Sequence, residues 1–421
     1  MRSPLGVIIF VSICLLMDWY LFQSVRLVMR NSGSTTKTVV TCVFWGISIF
    51  SALFFLTLPF LHQQLLNKLA RNYLFAILIG LFIAKLVAIL FFVLDDVRRA
   101  LQWIITVLFT SKANAGISAN TGDTAVISRS VFMSWLGITV GGSLFGTLFY
   151  GFSNKYNYKV ISKKLKFEHL PPAFKGLKVV HISDIHSGSF TDKHAVGKGI
   201  EMILQQQPDL ILFTGDLVNN MAVEMDEYKD VFSRLKAPMG VYSVLGNHDY
   251  GDYVQWPVDG LSKAQNLENL KKVHADMGWR LLMNEHVVFE KEGQRIVLLG
   301  IENWGAKARF PKYGRMDLAY EGAAHHPFKI LMSHDPSHWD AEVLTKYPDI
   351  DLTLSGHTHG MQFGVEIPGL KWSPVQYMYK KWAGHYQEGR QHLYVNRGYG
   401  FIGYPGRVGV MPEITVLELS C

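Results

Sequence analysis

Five short clusters in this chain carry side chains able to bind a metal ion or move a proton. They are Asp184-Ile185-His186, Gly215-Asp216, Gly246-Asn247-His248-Asp249, Ser333-His334-Asp335 and Gly356-His357-Thr358-His359. Together they offer imidazole, carboxylate and amide oxygen, and no thiolate. Imidazole combined with carboxylate suits borderline divalent ions such as Mn, Fe or Zn rather than Ca or Mg alone. Seven potential ligands (Asp184, His186, Asp216, Asn247, His334, His357 and His359) are too many for one ion and about right for two sharing a bridge. Singly, each cluster says little: Asp-x-His is common by chance, and a lone histidine at a strand end is more often structural.

Each cluster follows a short apolar run rich in β-branched residues, at 177–183, 210–214, 241–245, 329–332 and 352–354. Such runs, bounded by turns, read as buried strands. Helical stretches lie between some of them, at 192–206 and 263–276. The pattern predicts an α/β layering with every reactive cluster at the carboxyl end of a strand. Strands of one sheet end along a common edge, so clusters far apart in sequence converge there.

Taken in order, Asp-x-His, Gly-Asp, Gly-Asn-His-Asp, a lone His and Gly-His-x-His closely resemble the calcineurin-like metallophosphoesterase family, in its membrane-anchored bacterial branch. The resemblance runs from about Leu177 to the C-terminus with every motif intact. It implies a two-sheet α/β/β/α sandwich and a hydrolase acting on ester or phosphoanhydride bonds with two divalent ions, manganese among the candidates. Carried over residue by residue, it implies that Asp184, His186, Asp216 and His359 hold the first ion. Asp216, Asn247, His334 and His357 would hold the second, with Asp216 as the bridge. A hydroxide between the ions would be the nucleophile; His248 would protonate the leaving group, with Asp249 orienting or tuning it. The glycines fit as well, since turns crowded against a metal site favour a residue without Cβ. Loss of a ligand or of His248 would have favoured the alternative, a non-enzymatic membrane-bound metal- or phosphate-binding or scaffolding protein. All are present.

The first 150 or so residues are different in kind. Charges are few and apolar runs long, and four stretches (5–23, 39–61, 73–94 and 131–150) reach the ~20 residues that cross a bilayer core. A fifth run, 101–110, is too short to span; it is expected to lie at the interface or extend the third span. The chain is thus expected to divide into an all-α transmembrane bundle of four helices, or five, over 1–152 and a metallophosphoesterase domain over 153–421. Gly137, Gly141, Gly142 and Gly146 in the last span form two overlapping small-xxx-small pairs, which let helix backbones approach closely. Asp18 in the first span and Lys85 in the third sit at similar depth and are expected to pair.

The formal net charge of +7 in 421 residues is modest, and no block of like charge marks a nucleic-acid arm, so nucleic acid is not expected as a partner. The three cysteines are too few for a disulfide framework. The first apolar run reads as retained rather than as a cleaved signal. Basic residues follow the first span (Arg26, Arg30, Lys37) and the third (Arg98, Arg99, Lys112, Arg129), against Arg2, Lys68 and Arg71 on the other side. The positive-inside rule then places the catalytic domain outside the cytoplasm. Ser128-Arg129-Ser130-Val131-Phe132-Met133, which resembles a degraded twin-arginine export signal, points the same way. Lys155, Lys159, Lys163, Lys164 and Lys166, just beyond the last span, point the other way.

Two segments bear on substrate. Lys307, Arg309, Lys312 and Arg315 read either as a grip on a phosphate or as a solvated basic loop. Lys371, Trp372, Tyr377, Tyr379, Lys380, Lys381 and Trp382 read either as a surface for anionic lipid headgroups or as a hairpin covering the second sheet. Asn396-Arg397-Gly398-Tyr399-Gly400 and Pro412-Glu413-Ile414 resemble the ending of membrane-linked bacterial members, some of which act on lipid-linked or nucleotide-linked diphosphates. The expected substrate is therefore a phosphorylated small molecule or lipid, including a cell-envelope precursor.

Overall fold

The computed structural model describes residues 4–58, 68–109, 128–307, 310 and 312–421. Arg2, Lys112, Arg309 and the last residues of the predicted second span lie outside them. The chain divides into two compact units, Met1–Tyr150 and Gly151–Cys421.

In the first unit the long apolar runs form helices α1 (Pro4–Val28), α2 (Ser34–Thr57), α3 (Lys68–Phe109) and α4 (Arg129–Gly151). All four are long and apolar enough to cross a membrane. Many of their large side chains, Ile8, Leu16, Leu53 and Leu90 among them, are exposed, as surfaces facing lipid should be. The run at 101–110 does not form a separate helix: as far as Phe109 it continues α3, which has 42 residues and so is ~63 Å long.

Of the two small-residue pairs, one is used. A Cβ on Gly137 would meet the Ala88 carbonyl at 2.8 Å, and one on Gly141 the Ala84 carbonyl at 2.7 Å, so α4 lies directly against α3 there. Gly142 and Gly146 have open space. Lys85 Nζ lies 2.6 Å from Asp18 Oδ1, tying α3 to α1. A lone charge in mid-bilayer costs ~2.5–3.5 kcal/mol on insertion scales, so each partner relieves the other.

In the second unit the β-branched runs form the predicted strands. In chain order come β1 (Lys159–Lys166), β2 (Lys178–Ile182), β3 (Leu210–Phe213), β4 (Val241–Ser243) and β5 (Arg280–Leu281). Then follow β6 (Glu285–Lys291), β7 (Gln294–Gly300), β8 (Lys329–Met332) and β9 (Leu352–Ser355). A small hairpin pairs β10 (Val365–Ile367) with β11 (Leu370–Trp372), before β12 (Gly384–Glu388), β13 (Gln391–Val395) and β14 (Glu413–Ser420). One sheet has the order β1-β14-β2-β3-β4-β5 and the other β12-β13-β9-β8-β7-β6. β2 to β5 run parallel, as do β7, β8, β9 and β13.

The central strands β3, β8 and β9 are buried on both faces, which explains their continuous apolar sequence. Along β3, Leu210 and Leu212 enter the core between the sheets with Ile330, Leu352, Leu354 and Leu417. Ile211 and Phe213 face the opposite way, toward Val196, Ile200 and Ile203 of the helix Lys193–Gln205 and Leu270 of the helix Lys263–Asp276. The first helix starts where Asp192 accepts the Ala195 N–H at 2.9 Å, and the second on a Ser262–Gln265 capping box. Trp339, Val343 and Ala319 cover the far side of the second sheet. The result is the α/β/β/α sandwich.

The intramembrane pair yields a first prediction. Asp18→Leu or Lys85→Leu alone should lower the amount of folded protein recovered from membranes, and the double variant should regain much of it. Losses that simply add in the double variant would mean that the two residues do not interact.

Candidate metal centre

β2, β3 and β4 of one sheet and β8 and β9 of the other end beside one another, and the five clusters sit on the turns that follow. All seven expected ligands converge there. Asp184, His186 and His359 offer ligand atoms within 4.8 Å of one another, and so do Asp216, His334 and His357. Asp216 Oδ2 stands between the two sets, 3.5 Å from His186 Nε2 and 3.3 Å from His334 Nε2. In the first set His186 Nε2 and His359 Nε2 are 3.0 Å apart, and His359 Nε2 is 3.2 Å from Asp184 Oδ1. In the second, Asn247 Oδ1 lies 3.2 Å from His334 Nε2 and 2.8 Å from His357 Nδ1.

The hydrogen bonds on the far side of the second set decide what these atoms can be. His334 Nδ1 faces the Thr214 carbonyl at 2.7 Å, so it carries the proton and Nε2 presents a lone pair. His357 Nε2 meets the Tyr379 hydroxyl at 2.9 Å, and that hydroxyl reaches Asp335 Oδ2 at 3.3 Å. With the hydroxyl donating to Asp335, His357 Nε2 donates to it, and Nδ1 is bare as well. In the neutral tautomers that these contacts favour, two imidazole lone pairs, an amide oxygen and the Asp216 carboxylate aim at one point. Such a donor set fits a cation, and the outward N–H contacts are those that fix a metal-binding tautomer. Until a cation enters, a proton stands in for it on His334: burial opposes the charge, yet Asp216 and Asp184 raise that imidazole to about 10, and Asp184, facing His359, is held well below the carboxylate range. A cation at His334 Nε2 would displace that proton.

The turns are strained to make this possible. Asp184, His186, Asp216, His357 and His359 all have φ between 48° and 70°, a region that non-glycine residues seldom occupy. The strain is held by backbone lacing between turns: Asp184 N–H to the Gly215 carbonyl (2.9 Å), His186 N–H to that of Asp216 (3.1 Å), and Gly356 N–H to that of His334 (2.9 Å). A Cβ on Gly246 would stand 2.2 Å from Asp216 Oδ1, and one on Gly356 2.2 Å from Asp184 Oδ2, so both glycines are required by close approach.

His248 also joins the site. Its backbone N–H donates to Asp216 Oδ1 (2.8 Å), its Nδ1 faces the Asn219 carbonyl (2.9 Å), and its ring lies 4.5 Å from that of Tyr253. Asp249 does not orient it. The buried Asp249 carboxylate instead accepts backbone N–H groups from Gly246 (2.8 Å), Asp216 (2.9 Å), Leu217 (2.8 Å) and Val218 (3.3 Å), pinning the β3 turn to the β4 turn. Burial and the Asp216 charge push Asp249 up to about 7, while its N–H donors pull the other way. The orienting group is thus a backbone carbonyl, on a residue whose own N–H is tied to Glu224 at 2.6 Å. No residue type in the sequence signals it.

Two further residues were missed. Tyr379 was read with the aromatic segment, yet it is buried against His357, and with Trp382, Ala383 and Val410 it forms a small core cluster. Lys371 also turns inward, bonding the Ala383 carbonyl; Tyr377 remains exposed. Arg407, fully buried, donates to the carbonyls of His359 (3.2 Å) and Arg397 (2.7 Å) and to that of Gly400, fastening the chain's last loop to a ligand turn. In the basic loop, Arg315 is engaged bidentately by Asp317 and Lys312 lies over Trp304, which leaves Lys307 exposed in the stretch that sets Phe310 against the His357 ring.

Comparison with known proteins agrees with both units. A family model described as "Calcineurin-like phosphoesterase" matches residues 177–361, and one described as "Probable Calcineurin-like phosphoesterase, transmembrane domain" matches residues 1–155. The chain is similar to a transmembrane protein with metallophosphoesterase domain from Danio rerio (29% identical over 269 residues, covering 62% of this chain and 57% of that protein). It therefore spans little more than half the length of that relative. It is also 29% identical over 246 residues to the phosphodiesterase YaeI of Escherichia coli, covering 58% of this chain and 82% of that one. A third relative is the UDP-2,3-diacylglucosamine pyrophosphatase LpxG of Chlamydia trachomatis, 29% identical over 281 residues (56% and 80%). With an apolar four-helix unit ahead of a two-sheet hydrolase whose ligand clusters crown its strands, this chain belongs to the calcineurin-like phosphoesterases, hydrolases of phosphoester bonds, and carries their transmembrane domain.

Proposed function

We propose that this membrane protein hydrolyses a phosphodiester or diphosphate bond in a lipid or cell-envelope precursor. The reading rests on one observation: two sets of lone-pair donors share the Asp216 carboxylate. Asp184, His186, Asp216 and His359 would hold one divalent ion, and Asp216, Asn247, His334 and His357 the other. Ions bound there supply Lewis acidity that draws charge from the phosphoryl oxygens. The chain supplies the rest. Its buried carboxylates and imidazoles fix the site before substrate arrives. His248, held through Nδ1 by the Asn219 carbonyl, has Nε2 to deliver a proton to the departing oxygen. Lys307, exposed in the loop that carries Phe310, suits an anionic substrate. The substrate class is supported by the activities for which the E. coli and Chlamydia relatives are named and by the helices that keep the enzyme at a membrane. The positive bias of the loops after α1 and α3 supports a catalytic unit outside the cytoplasm.

Hydrolysis of a bis-aryl phosphate by the full chain, abolished by a chelator and restored by Mn, tests the activity. Asp216→Asn should lower metal content to one ion or none; two tightly bound ions and full turnover in that variant would remove Asp216 from the bridge. His248→Ala should lower turnover by ~10²–10⁴ with metal content unchanged, and by less for a nitrophenolate leaving group than for a poor one. Equal losses on both substrates would take the acid role away from His248. A reporter fused to Cys421 should be active outside the cytoplasm. Activity only inside the cell would reverse the orientation.

A further inference from the structure

Away from the metal centre, the open edges of the two sheets form a second cleft. β1 closes one sheet and β12 the other, and between them lies a cavity of about 540 Å³. Asp351, just before β9, and the turn Gly389–Arg390 before β13 line it, so it sits at the amino end of β9, the strand whose carboxyl end leads to His357 and His359. The two sites share no residue.

The cleft gathers more positive than negative charge: Lys163, Lys164, Lys166 and Arg390 line it against Glu168 and Asp351. Arg390 is paired with Asp351 at 2.6 Å, and Lys164 with Glu418 at 2.8 Å. Lys163 and Lys166 also line it, and among the described residues neither has a carboxylate within ion-pair distance. Lys163 shares a strand face with Leu165, which is buried in the core between the sheets, so it is directed toward the second sheet. There His385 Nε2 and His392 Nδ1 stand 2.9 Å apart, with His392 packed on the Phe167 ring at 4.6 Å. Burial first, and then the charge of Lys163, hold both imidazoles below their ordinary range, His385 at about 4.

A phosphate group matches this arrangement. Its tetrahedral oxygens accept from ammonium and imidazole donors arriving from two sheets at once, where a planar carboxylate could meet fewer of them. The volume exceeds the need of a bare ion and leaves room for an ester substituent. We propose that this cleft is a second, non-catalytic binding site for a phosphate group, either free or on a lipid headgroup. The plainer role for lysines on an edge strand, shielding it from pairing with another chain, needs no ligand.

Calorimetric titration of the full chain in detergent with inorganic phosphate separates the two. The wild type should bind one phosphate more than Lys163→Gln/His392→Gln, with bis-aryl phosphate hydrolysis the same in both, and Lys163→Arg should keep the additional site. In nanodiscs of a neutral glycolipid, added phosphatidic acid should protect Lys163 from an amine-acylating reagent several-fold if the source is a headgroup. A difference of one phosphate assigns the cleft to the free anion, and lipid protection alone assigns it to the headgroup. Equal phosphate binding in wild type and double variant, together with no lipid protection, would overturn the proposal and leave edge shielding.

Discussion

The catalytic unit is organised around an electrostatic difficulty. Two aspartates, an asparagine oxygen and imidazole lone pairs are brought together in a site where all but the His357 side are nearly inaccessible to water. Carboxylates crowded in a low-dielectric interior repel one another, and the protein answers with a proton on His334, which Asp216 and Asp184 raise to about 10. Everything nearby serves to hold that unfavourable gathering in place. The left-handed turns aim the ligands inward, the glycines let turn and carboxylate touch, and a carbonyl behind His334 and a hydroxyl behind His357 fix which nitrogen of each is bare in the neutral ring. The two sheets make it affordable, because parallel strands fully buried on both faces give the turns rigid footings.

Much of this was legible in the sequence, for a physical reason. Ligand identity and strand patterning are both written in residue type, so five apolar runs, each ending in a reactive cluster, were enough to locate the strands and gather the seven side chains. What was not legible is written in backbone. His248 is oriented by the carbonyl of Asn219, and any residue at that position would have offered the same group. The family resemblance implied that Asp249 orients or tunes His248, but the turn aims its carboxylate the other way, at four N–H groups. Tyr379 was legible as an aromatic but not as a partner of His357. An aromatic on a loop gives no sign of facing outward or inward until the sheet behind it is known.

The membrane unit shows the same division. Four apolar runs of spanning length gave four helices, and two opposite charges at matched depth gave an ion pair, because the penalty on an isolated intramembrane charge is steep enough to dictate pairing. Spacing could not say which glycines would meet a neighbour. Both small-residue pairs satisfy the same rule, and only Gly137 and Gly141 turn toward α3.

Asp249 carries a consequence for how an ion would be taken up. Its contacts fasten the β3 and β4 turns using protein groups only, four N–H groups on one carboxylate. Domains that fold around their metal use binding energy to order the chain. Two ligand turns already tied to each other would draw less of an ion's binding energy into ordering.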